Sequence, residues 1–232
     1  MKWTIILKYF IVWQIFIIVV TLASAKLLPF RETYLGGATQ AYEENPLLYS
    51  RANFDGNYYV YIAERGYGYS LQAFFPLYPE LMKQMRVYFS SSVSNGVFIS
   101  LLSFTLGLMV LNKLILLDYS PQISKYTILA LLLFPVSFFF SSVYTEGLFF
   151  LLSVSSFYFA RKGKWWLAGV LGGLAAYTRF VGVFLFPALV IEWWQQNSNS
   201  LKRNLKHILP LLVIPLGLLL YMNYLNRTTG DP

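Results

Sequence analysis

Apolar runs recur along almost the whole of this sequence, at residues 5–25, 93–117, 126–140, 147–160, 165–194 and 208–225. No other feature limits its possible folds as strongly. A helix needs about 20 apolar residues to cross the hydrocarbon of a bilayer. Only 12% of the residues are charged, against roughly 25% in ordinary soluble domains, so the chain cannot cover itself with polar surface. In lipid, backbone groups must pair within the chain, and for segments of this length that means helices. Trp3, Trp165, Trp166, Trp193 and Trp194 sit at the ends of runs, where amphipathic rings settle in a membrane interface. These observations predict an all-α, polytopic membrane protein: a single transmembrane domain over residues 1–232. The first run has a signal peptide as its alternative, since Ala23-Ser24-Ala25 resembles a cleavage site. Its length and the orientation of the later runs favour a retained span.

Charge then orients the chain. Lys2, Lys8, Lys113, Lys125, the Arg161-Lys162-Gly163-Lys164 cluster, Lys202, Arg203 and Lys206 fall in connections that alternate with less basic ones. The positive-inside rule places them in the cytoplasm. The opposite side receives residues 26–92, the 141–146 turn and the C-terminal tail. This works only if the 165–194 stretch crosses twice, as two short helices turning near Arg179 within the membrane profile. The expected topology is a cytoplasmic N-terminus, about seven crossings and a large extracytoplasmic first loop carrying interfacial helices near 53–65 and 79–89. The net charge of +8 is accounted for by these connections, so no nucleic-acid role follows from it. The chain has no Cys, which excludes disulfides, thiolate metal sites and a cysteine nucleophile. His207, the lone histidine, lies among inner-side basic residues, away from any acid with which it would form a triad.

Chemistry concentrates in the outer connections. Asp55 stands in an aromatic-rich stretch, where a carboxylate can act as general base on a sugar hydroxyl while rings stack on the sugar. Alternatively it caps a helix beginning at Gly56. Phe74-Phe75-Pro76-Leu77-Tyr78-Pro79 marks an apolar turn that packs a lipid tail or seats the loop on the bilayer. Glu146 opens a span, where a carboxylate faces a cavity or answers the helix N-terminus. Arg179 interrupts an apolar run and therefore requires either an anionic ligand, such as a phosphate, or a counter-charge from Asp55 or Glu146.

The order of these motifs resembles a known family. Arg51 shortly before Asp55, then Ile62-Ala63-x-x-Gly66-Tyr67, the Phe-Phe-Pro-Leu-Tyr-Pro turn, Phe134-Pro135-x-Ser137-x-Phe139-Phe140-x-x-x-Tyr144-x-Glu146, and Ala176-x-x-Arg179 are similar to the PIG-V-like mannosyltransferases. These are membrane glycosyltransferases of the GT-C class, related to the enzyme that adds the second mannose to glycosylphosphatidylinositol. The resemblance runs from Arg51 to Pro232. Phe54-Asp55 stands where members commonly have Trp-Asp, and members are much longer, so the chain reads as an N-terminal fragment. The resemblance implies that Asp55 is the catalytic carboxylate, with Arg51, Tyr144, Glu146 and Arg179 binding substrate. Tyr144 and Glu146 would line the sugar site and Arg179 would hold the donor phosphate. It further implies an inverting transfer of mannose from a polyprenyl-phosphate-mannose to a glycan or glycolipid acceptor at the extracytoplasmic face, with no metal or other cofactor. Membrane lipids are the remaining expected partners. Short connections suggest a prokaryotic plasma membrane, or the endoplasmic reticulum if the chain is eukaryotic. The reading from another class is a transporter or flippase using Glu146 and Arg179 as a substrate path.

Overall fold

The structure, a computed structural model, describes residues 2–29, 38–197, 206 and 208–229. Lys202, Arg203, His207, the acidic Glu32 of the first loop and the 230–232 terminus lie outside the described residues. The architecture is all-helical, with no strand among the described residues.

The first helix, α1 (Trp3–Leu27), is apolar around most of its circumference and 25 residues long. Ile6 and Trp13 are its buried residues. They join a cluster with Phe104, Leu108, Ile128 and Leu132, and the Trp13 indole Nε1–H donates to Ser137 Oγ at 3.1 Å. The first run is thus built into the bundle.

Next come α2 (Ala38–Glu44), α3 (Pro46–Tyr49), a 3₁₀ turn at Ser50–Ala52, α4 (Asp55–Arg65) and α5 (Leu77–Gln84). The two expected interfacial helices are present as α4 and α5. Their apolar faces, however, bury against protein. Tyr78 and Met82 of α5 are fully buried, and the Tyr78 hydroxyl lies 2.9 Å from Gly96 O and 2.8 Å from Ser100 Oγ on the following helix, α6 (Ser92–Ile115). Asn95 Nδ2 donates back to Met82 O and Phe89 O. The helix α5, which would otherwise lie on lipid, is therefore bolted to α6 by buried hydrogen bonds. Tyr78→Phe is expected to lower the unfolding free energy by about 1–3 kcal/mol through the orphaned partners, read as an earlier thermal transition in detergent with unchanged helix content.

After α6 the chain forms α7 (Pro121–Leu133), a 3₁₀ turn at Ser137–Ser141, α8 (Glu146–Arg161), α9 (Trp165–Ala176), a 3₁₀ turn at Phe180–Phe184, α10 (Leu185–Gln196), a short 3₁₀ turn at Leu209–Leu212 and α11 (Val213–Thr229). The run at 126–140 is not one helix. Ser120 caps α7, with Pro121 in its first turn, so the helix starts before the run does. It stops at Leu133 because Pro135 holds Phe134 in an extended conformation. The 165–194 stretch divides as expected, breaking at Tyr177–Arg179 into two helices of 12 residues. Each is about 18 Å long at 1.5 Å per residue, well under the roughly 30 Å hydrocarbon thickness.

Among the described residues three helices are long and apolar enough to cross a membrane: Trp3–Leu27, Ser92–Ile115 and Leu209–Thr228. α6 packs along α8, α8 along α9 and α9 along α11. At the C-terminal end of α8, Arg161 makes a bidentate pair with Asp118 (2.6 and 2.7 Å) and meets Glu192 at 3.1 Å. Glu146, at the other end of α8, belongs to the opposite end of the bundle, where the sequence motifs gather.

Candidate active site

Backbone hydrogen bonds bring the motifs together. Val143 N–H donates to Arg51 O at 2.8 Å, joining the 141–144 turn to the segment before α4, and Leu77 N–H donates to Tyr177 O at 3.3 Å, joining the Phe-Phe-Pro-Leu-Tyr-Pro turn to the break after α9. From α6, Ser100 Oγ donates to Tyr144 O at 3.1 Å. Beside it, α8 sits almost on the α6 backbone: a Cβ at Gly147 would lie 2.7 Å from Ser100 O. Only glycine permits that approach, and it fixes the height of Glu146.

Asp55 is the first residue of α4, and the N-cap position falls to Phe54 at φ 54°. The helix-capping alternative for Asp55 is therefore not the arrangement formed. A phenylalanine in the left-handed region is strained. The bonds around Arg51 and Val143 hold it there, and the residue turns the chain sharply just before the carboxylate.

Asp55 opens into a cavity of about 430 Å3 whose walls include Tyr59, Phe74, Phe75, Thr178 and Arg179. Phe74 stacks edge-on against Tyr59 (5.1 Å between centroids), which in turn packs edge-on against Tyr78 (5.3 Å). Across from Asp55, Arg179 Nη1 is 2.5 Å from Glu146 Oε1. This is the counter-charge alternative read from the sequence, with Glu146 as the partner. The pair is partly exposed, at 39% and 27% for the two side chains, so its coupling is discounted for screening. A double-mutant cycle with Glu146→Gln and Arg179→Met is expected to give about 0.5–1 kcal/mol in thermal unfolding, with the double variant milder than the sum of the singles.

The charges of Asp55, Glu146 and Arg179 all act on Tyr59, whose hydroxyl also meets the Thr145 side chain; burial, the largest influence, pushes it up to about 12. Tyr59 therefore stays a neutral hydrogen-bond donor beside the carboxylates. It lies four residues after Asp55, on the same helical face. That spacing was the available signal for a residue that motif reading passed over.

The structure separates the remaining candidates from this cavity. Tyr144 donates its hydroxyl proton to Asn53 O at 2.9 Å. Burial and then the Asp55 charge push that hydroxyl up, to about 12. Its ring, however, borders a second cavity of about 460 Å3, shared with Arg51. Glu146 reaches the Asp55 cavity through Arg179. Asp55, Tyr59, Glu146 and Arg179 thus form one polar cluster walled by aromatic rings, able to take a proton from a sugar hydroxyl and to hold sugar or phosphate oxygens.

A family model described as Mannosyltransferase (PIG-V) matches residues 3–224. Among curated proteins, the GPI alpha-1,6-mannosyltransferase 2 of Homo sapiens is 30% identical over 167 residues, covering 67% of this chain and 34% of that protein. The protein of the same name from Cricetulus griseus is 30% identical over 151 residues (59% and 30%), and that from Mus musculus 29% over 160 residues (64% and 32%). The chain spans about a third of the length of these relatives. They are mammalian, so the expectation of a prokaryotic origin finds no support in them. No solved structure matches the chain.

Proposed function

Because the chain belongs to the mannosyltransferase (PIG-V) family, we propose that this integral membrane protein transfers mannose from a polyprenyl-phosphate-mannose donor to a lipid-linked or glycan acceptor at the extracytoplasmic face. The mammalian relatives favour the endoplasmic reticulum as its membrane. The single observation that carries the reading is the convergence of Asp55, Tyr59 and Arg179 on one aromatic-walled cavity. In the proposed topology α7 to α10 complete about seven crossings as short helices around the three long ones, and α2 to α5 roof the bundle.

In the proposed step the acceptor hydroxyl oxygen attacks the anomeric carbon of the donor as its proton passes to Asp55. The bond from that carbon to the phosphate oxygen breaks, the configuration inverts, and polyprenyl phosphate leaves with the electron pair. Aromatic faces of Tyr59 and Phe74 hold the sugar. Arg179, kept in place by Glu146, offers its remaining N–H donors to the hydroxyl oxygens of the sugar. The chemistry draws only on these groups and the lipid-linked donor, with no metal or other cofactor.

The test is transfer of radiolabelled mannose from polyprenyl-phosphate-mannose to membrane acceptors by proteoliposomes containing the intact protein. Label above that of empty liposomes, dependent on this donor and absent with a nucleotide-sugar donor, is the expected result. Label at the empty-liposome level, with the same vesicles moving a lipid or solute, replaces the reading with the transporter.

A further inference from the structure

The second cavity has a different character from the first. It lies between the outer half of α1, at Phe16, Ile17 and Val20, and the 134–144 turn, at Phe138 and Phe139. Ile15, Phe16, Val19 and Val20 are exposed on α1, so in a bilayer this apolar space is bordered by hydrocarbon chains. Among its described lining residues one carries a charge, Arg51.

Arg51 is held by neutral acceptors. Its Nη1 donates to Ser141 O at 2.9 Å, and Nη1 and Nη2 lie 3.5 and 3.4 Å from Gln14 Oε1. Among the described residues the ion pairs use Asp118, Glu146 and Glu192, and none involves Arg51. Burial pushes its guanidinium below the ordinary value. Close by, Gln14 Nε2 and Asn53 Oδ1 are buried with no hydrogen-bond partner among the described residues. A half-buried cation without a counter-charge among the described residues is stabilised by an anion that enters from outside, and a guanidinium fork matches a phosphate. Arg179 contrasts with it, since Glu146 already compensates its charge.

We propose that Arg51 is the anchor for the phosphate of the lipid donor, with the first prenyl units lying in the cavity along α1 and the mannosyl group directed past Tyr144 toward Asp55. The inference rests on the mannosyltransferase reading. It moves the phosphate from Arg179, where the family resemblance puts it, to Arg51, which no carboxylate answers among the described residues. A prenyl-linked donor fits this place better than a glycolipid acceptor. In a glycosyl phosphate the phosphate adjoins the transferred carbon, so it must bind next to the base. Tyr144, in the wall of this cavity, also feels the Asp55 charge. A glycolipid acceptor has its phosphate separated from the accepting hydroxyl by intervening sugars.

Decaprenyl phosphate, decaprenol and dioleoyl phosphatidic acid are the probes, with binding to the intact protein in nanodiscs read by native mass spectrometry and donor kinetics measured alongside. Arg51→Met is expected to weaken decaprenyl phosphate at least about tenfold and to raise the donor KM by a similar factor, with a smaller change in kcat. Arg51→Lys restores part of the loss. Val20→Trp, which fills the tail space and leaves Arg51 in place, loses binding too; thermal transitions confirm that each variant is folded. Equal binding of decaprenyl phosphate by Arg51→Met and the parent overturns the proposal, as does loss in Arg179→Met alone. Phosphatidic acid binding as tightly as decaprenyl phosphate overturns the prenyl assignment. If the parent binds decaprenyl phosphate through Arg51 and transfers no mannose, the site stands and the mannosyltransferase reading fails.

Discussion

Asp55→Asn is expected to lower mannosyl turnover by about a thousandfold, within the range of 10²–10⁴ that a positioned general base contributes. Asparagine keeps the shape of the side chain and its place at the start of α4, and removes only the ability to take a proton. The donor KM should therefore change little while kcat collapses, which marks an interaction made in the transition state. The fold should not suffer, since Asp55 belongs to none of the ion pairs among the described residues. Rates measured at matched protein, with thermal transitions recorded in parallel, decide the matter. Turnover above about a tenth of the parent's would remove Asp55 from the role of base.

A large effect on folding is expected at Gly217. Here α11 approaches α9 backbone to backbone, and a Cβ at Gly217 would lie 2.2 Å from Gly173 O and 3.1 Å from Tyr177 N. Small residues let helices in membranes come this close, where packing rather than hydrophobic burial drives association. Neither contact is the tip of a flexible side chain, so the helices themselves must separate. Gly217→Val is expected to destabilise by about 3 kcal/mol or more, the upper end of the overpacking range. The shift would be transmitted to the turn at Tyr177–Arg179 that supports the Asp55 cavity. Lost activity is therefore expected even in the fraction that still folds. Leu216→Ala, at an exposed neighbouring position, should leave the transition within about 0.5 kcal/mol of the parent. Equal effects at the two positions would mean that the α9–α11 contact is not what holds this end of the bundle.

Much of this was legible in the sequence where one physical constraint dominated. Apolar length located α1, α6 and α11, and an arginine inside an apolar run marked the break between α9 and α10. That Arg179 must be answered, by an anionic ligand, Asp55 or Glu146, was readable because a charge in that setting is costly; the choice of Glu146 was not. Helix ends were less legible. The start of α7 depends on Ser120 and Pro121, outside the apolar run, and its end on Pro135 within it. The packing of α5 onto α6 depends on Tyr78, Ser100 and Asn95 meeting across distant segments, which no local pattern reveals. The same holds for the division of the site. Arg51 and Asp55 lie four residues apart, yet the strained Phe54 between them puts them in different cavities. Spacing alone does not show which side of a kink a side chain faces.

The measurement that tests the central claim most directly is photolabelling of the intact protein in membranes, using a polyprenyl-phosphate-mannose analogue with a diazirine on its sugar, followed by peptide mapping. Label in the segments carrying Tyr59, Phe74–Phe75 and Thr178–Val181, competed by unmodified donor, is the predicted result. Label confined to other segments, or label that excess donor does not displace, would contradict the assignment of the Asp55 cavity as the place where mannose is transferred.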